Sequence, residues 1–173
     1  MRRTLLAFTI LLFACGDGKR EAAELLAKAA EANANATVVD LADHDMPLVV
    51  HVGDLATLGA DTVSVSWNEE FGWLVVQAGE RFVLTIREEP GDLGRVKADL
   101  ARSTLQTHEV LRDSADRLVY RSRFPDEDLV FHHFHRVLVV GARSFVVQDG
   151  PQGRFTEADV LRMEAAVRPK QES

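Results

Sequence analysis

Beyond Val38 the apolar residues recur at every second position, in runs that turn residues interrupt at short intervals. This alternation is the period of a strand with one buried face, and it leaves little room for long helices. Leu48, Val50 and Val52 share one strand face after Pro47, and Val63, Val65 and Trp67 share another. Asn68-Glu69 leads into Phe71, Trp73 and Val75, and Ala78-Gly79-Glu80 turns the chain into Phe82, Leu84 and Ile86. Connections this short allow only antiparallel neighbours. Trp73, Phe82 and Leu84 are expected in the core.

Two segments break the pattern. Glu89-Pro90-Gly91-Asp92 stops the strands, and Asp92 can cap a helix whose Leu93, Val96 and Leu100 fall on one side. Near the end, Thr156 and Asp159 resemble a capping box, with the shorter Asp in place of Glu, ahead of Val160, Met163 and Val167, which line one helical face. Between them the alternation resumes through Val110, turns at Asp113-Ser114-Ala115-Asp116 and continues through Leu118, Tyr120 and Phe124. The expected fold is α+β: an antiparallel β-sheet with two packed helices, formed by residues 38–173 as one domain. The element order resembles the PsbP-type α+β fold. That resemblance rests on order alone and implies an architecture, not an activity.

The first residues have another character. Arg2 and Arg3 precede an apolar run from Leu5 to Ala14, which Cys15, Gly16, Asp17 and Gly18 end. A bilayer-spanning helix needs about 20 apolar residues, so this run reads as a secretory signal over residues 1–14. Leu12-Phe13-Ala14-Cys15 resembles the lipobox of bacterial lipoproteins, although Phe13 stands where a small residue is usual. The resemblance implies cleavage before Cys15, lipidation of its sulfur and acylation of the new amino group. An ordinary secretory signal is the alternative. Cys15 is the chain's single cysteine, which agrees with an anchoring role and leaves no disulfide within the chain. Acyl chains at about 0.8 kcal/mol per buried CH₂ would hold the protein to a membrane.

Residues 15–37 are then expected to form a lipidated N-terminus and an Ala/Glu-rich helical tether, in which Glu24 stands four residues before Lys28 for a helical ion pair; a terminal helix docked on the domain through Leu25 and Leu26 is the alternative. Gly16, not Asp, follows the cysteine and points to the outer membrane or cell surface rather than the inner membrane. The chain carries a net charge of −7, which loss of Arg2 and Arg3 makes more negative. Nucleic acid and anionic head groups select for clustered Lys and Arg, so neither is expected as a partner.

Enzyme motifs are sparse. The chain has no Gly-rich phosphate loop, no Gly-x-Ser-x-Gly elbow and no Cys-x-x-Cys. The densest group of possible ligands is Phe131-His132-His133-Phe134-His135, which holds half of the six histidines. On a strand, His133 and His135 share one face and His132 joins Phe134 on the other. Two imidazoles at i, i+2 can converge on zinc, but a third ligand is needed, and Asp43, His44, Asp45 and His51 are the candidates. The alternative is a wet histidine-bearing face with aromatics packed behind it.

Arg117, Arg121 and Arg123 form a second feature, on the strand face opposite Leu118 and Tyr120, with Arg136 on the next strand. They could receive an anionic ligand, or pair with acidic residues of neighbouring strands. The sequence therefore supports a lipid-anchored, non-enzymatic binding or accessory domain of the cell envelope, without a cofactor, acting on an envelope protein or small ligand. A zinc-binding protein or metal-dependent hydrolase using His133 and His135 is the alternative.

Overall fold

A computed structural model describes residues 36–171. The signal peptide, Cys15 and most of the Ala-rich tether lie outside them. Ten strands alternate with short helices: β1 (Thr37–Asp40), a 3-10 turn (Ala42–His44), β2 (Leu48–Gly53), α1 (Leu55–Leu58), β3 (Ser64–Asn68), β4 (Trp73–Ala78) and β5 (Phe82–Glu88) come first. After them run α2 (Leu93–Arg102), β6 (Thr107–Asp113), β7 (Arg117–Arg123), β8 (Val130–Val140), β9 (Arg143–Asp149), α3 (Glu157–Ala166) and β10 (Val167–Pro169).

Seven strands form one sheet in the order β3-β4-β5-β9-β8-β7-β6, every pair antiparallel, and β1-β2-β10 form a second, smaller one. The architecture is thus mainly antiparallel β with helices packed on it. Both expected helix starts carry their caps. Asp92 accepts from the Arg95 backbone N–H at 2.9 Å, and Thr156 and Asp159 complete a reciprocal capping box. A third, single-turn helix, α1, is capped by Asp54.

The main core lies between one face of the large sheet and a layer made by α3 and the small sheet. Leu48, Val50 and Val52 face inward from β2, Val160 and Met163 from α3, and Phe82, Leu84, Ile86, Phe134 and Val147 from the large sheet, all fully buried. Two features of this layer depart from the sequence expectation. Val167 is buried as expected, but it leaves the helix and begins β10, which pairs with β2 from Val167↔Val50 to Pro169↔Leu48. Trp73 is not a core residue. Its neighbour in the strand, Leu74, faces the core at 0% exposure, so the alternation of β4 turns Trp73 to the opposite face.

That opposite face is covered only in part. At one end α2 lies over β8, where its buried Leu93 lines a recess with His135, Val137 and Val146. Over β4 and β5 no helix among the described residues covers that face.

Candidate functional site

Cross-strand partners share a sheet face, so the registers fix what the open face carries. Leu118 is opposite His135, Tyr120 opposite His133 and His108 opposite Ser122, while His135 is opposite Gln148. Gln148 in turn faces Thr85, and Thr85 faces Val75. His133 and His135 therefore lie together on the open face, as the alternation predicts. His132 sits on the core side, with its Nδ1 3.3 Å from the Phe155 carbonyl oxygen.

The histidine face is an interlocked polar row. His133 Nδ1 lies 2.8 Å from Asp149 Oδ2, and Asp149 Oδ1 accepts from the Phe134 backbone N–H at 2.8 Å. The His133 ring is 5.1 Å from Tyr120, and His108 Nδ1 lies 2.8 Å from Ser122 Oγ. Burial, reinforced by the Asp149 charge, pushes the Tyr120 phenol well above its usual range. Burial lowers His135, against the pull of the Asp149 carboxylate, and its Nδ1 is enclosed without a partner. Burial and the nearby His133 lower His108.

Chemically, the Asp149–His133 pair has the form of an oriented general base. The aromatic ring beside it belongs to Tyr120, whose proton is held tightly, and the hydroxyl of the row, Ser122, is 1% exposed and engaged by His108. Among the described residues no three His, Cys, Asp or Glu side chains are grouped to hold a metal ion. Asp43 and His44 belong to the 3-10 turn, Asp45 follows it, and His51 is on β2, in the layer that packs over the other face.

The arginines occupy the core-side face of β7. Arg121 Nε donates to Glu109 Oε2 at 2.9 Å, and Arg117 holds both Asp116 at 3.0 Å and the buried Glu164 at 2.8 Å. The Arg117 guanidinium brings the Asp116 carboxyl down to about 2. Arg136 Nη1 donates to the Glu164 and Val167 carbonyl oxygens at 2.7 and 2.9 Å, tying β8 to α3. Arg123, exposed at the strand end, borders a shallow recess of about 380 Å³ with Thr107, His108 and Glu109.

A groove that alternation does not reveal lies on the uncovered part of the open face. It has a volume of about 580 Å³, within the usual range for small-molecule sites. Trp73, Val75, Val83 and Thr85 form its floor, and Phe71, half exposed, stacks on Trp73 at 4.8 Å between ring centroids. The aromatic pair is built, not incidental. Asn68 Oδ1 accepts from the Phe71 N–H, and Gly72 closes the turn at φ 66°. The Arg87 guanidinium sits 4.9 Å from the Trp73 ring and donates to the Phe71 carbonyl oxygen at 3.3 Å.

The far wall is the Gly150–Arg154 loop. Gly150 donates its N–H to the Val83 carbonyl oxygen at 2.8 Å, and a Cβ on it would come within 2.6 Å of Val83 Cγ1. At Gly153 a Cβ would meet the Phe155 ring at 1.9 Å, so the wall takes this path only with glycine at both positions. The available signal was Phe71 itself: an aromatic between Glu70 and Gly72 in a hairpin turn cannot reach a core.

Comparison with known proteins found no matching family model, no matching curated protein and no matching solved structure.

Proposed function

We propose that this chain is exported, lipidated at Cys15 and held at the outer membrane or cell surface. There its folded part acts as a non-enzymatic binding or accessory domain whose ligand occupies the open face of the large sheet. The observation that carries the binding reading is the groove floored by Trp73 and stacked with Phe71, on a sheet whose other face carries the main core. An accessory domain needs a preformed concave surface with a few fixed polar groups, and this face has one. Support for the anchor comes from the residues around Cys15.

Native mass spectrometry of the full chain, purified in mild detergent, tests the binding reading. We expect a bound small molecule or partner on the wild type that Trp73→Ala releases. Retention unaffected by that substitution would place the binding surface elsewhere.

Zinc at His133 and His135 is the second reading, favoured by one observation, the enclosed and partnerless Nδ1 of His135 on the face that carries His133. Stoichiometric zinc lost in the His133→Ala, His135→Ala double variant would support it. Metal-free protein whose melting zinc leaves unchanged would remove it.

A further inference from the structure

The groove is one of three depressions that share lining residues. A second, of about 150 Å³, shares Trp73 and Thr85 with it, and a third, of about 220 Å³ against α2, shares Glu89 and His135 with the second. Together they form a track from β4 over β5 and β9 to β8, and the groove itself also extends along β4 from Trp73 to Gln77. Three strand spacings make that track about 14 Å long. An added peptide strand would pair along a sheet edge instead of crossing four strands.

The lining alternates in kind. Aromatic and aliphatic surfaces, Phe71, Trp73 and Val75, are interleaved with amides, Asn68, Gln77 and Gln148, each of which can both donate and accept. The charges balance: Glu80 and Arg154 border the groove, and Arg87 Nη1 donates to Glu89 Oε1 at 3.2 Å. A lipid acyl chain laid along the track would leave these polar groups dehydrated and unpaired. A polyanion or polycation would find no excess of opposite charge. Pyranose rings have apolar C–H faces for aromatic contact and hydroxyl edges that donate and accept.

Resting on the binding reading of this same groove, we propose that the track takes an uncharged oligosaccharide. One ring lies against the exposed Phe71 and its successors run towards His135. The amides at the rim satisfy hydroxyls that water otherwise holds, and the aromatic pair supplies the apolar contact.

The chain has two tryptophans, Trp67 and Trp73, and Trp67 lies on the opposite face of β3. In a full-chain Trp67→Phe variant the fluorescence therefore reports on Trp73 alone. The probes are the tri- and tetrasaccharides of N-acetylglucosamine, cellotriose and maltotriose, their monosaccharides, and oleate. We expect a saturable Trp73 response to at least one oligosaccharide, at least tenfold tighter than to its monosaccharide. Phe71→Ala and, separately, Gln77→Ala should weaken it at least tenfold with melting retained, and Arg121→Ala should not. A response to oleate alone would overturn the oligosaccharide and leave the binding reading standing. No response to any probe, with native mass spectrometry also finding nothing released by Trp73→Ala, would overturn both.

Discussion

Asp149 bridges two neighbours through one carboxylate, with Oδ1 accepting from the Phe134 backbone N–H and Oδ2 facing His133 Nδ1, each at 2.8 Å. It stands at the end of β9, beyond the last paired residues His135 and Gln148, where the ladder between β8 and β9 stops. The side chain thus satisfies a buried N–H and orients the imidazole on the open face. Asp149→Ala removes both contacts and leaves that N–H without its acceptor, which we expect to cost about 1–3 kcal/mol in urea unfolding. Asp149→Asn keeps a carbonyl acceptor for Phe134 and should lose less. Equal losses for the two variants would mean that the His133 contact dominates.

The histidines give the fold a pH dependence near neutrality. His135 and His108 are lowered from their ordinary value, chiefly by burial, so the unfolded chain takes up protons at a pH where the folded chain does not. Their neutral forms thus favour folding. That contribution is complete above the unfolded value of 6.5 and is lost as pH falls from there towards the folded values. The paired carboxylates Asp116 and Asp159 are lowered as well, and their contribution fades only at more acid pH. Melting temperature should drop between pH 7.5 and 5.5, and His135→Gln should flatten the drop. An unchanged slope in that variant would assign the effect to another group.

The two faces of β4 and β5 should differ in their response to truncation. Phe82 is fully enclosed by the main core, and Phe82→Ala should cost about 3–5 kcal/mol. Trp73, larger but on the open face, should cost less when truncated, because solvent already reaches it and refills the space. Chemical denaturation of both variants checks the order, and a greater loss at Trp73 would contradict the assignment of faces.

Lipidation has a separate test. Cys15→Ser should leave an unprocessed precursor or release the protein from the membrane fraction. Processing and fractionation identical to wild type would contradict an anchor at Cys15.

Local chemistry was legible in the sequence where it acts within a few residues. Asp92 and the Thr156/Asp159 box mark both longer helices, and the turns at Ala78-Gly79-Glu80 and Asp113–Asp116 close β4-β5 and β6-β7. Alternation also placed His133 and His135 on one face and His132 on the other. Alternation does not say which face is buried, however, and for that reason the sequence alone puts Trp73 in the core. Pairing between distant strands leaves no local mark either. Nothing near Val167 announces a partner at Val50, and nothing near Glu88 announces Phe145. Asp149 leaves no local mark, because Asp149-Gly150-Pro151 reads as an ordinary turn, while its carboxylate acts across the sheet on residues fifteen and sixteen positions earlier.

The central claim, that this domain works through the open face of its large sheet, is tested most directly by photo-cross-linking in intact cells. A benzophenone side chain replaces Phe71 in the groove or, as a control, Val38, which is half exposed on β1 of the small sheet. An adduct formed from position 71 and absent from position 38 is the predicted result. Adducts from position 38 with none from position 71 would contradict it.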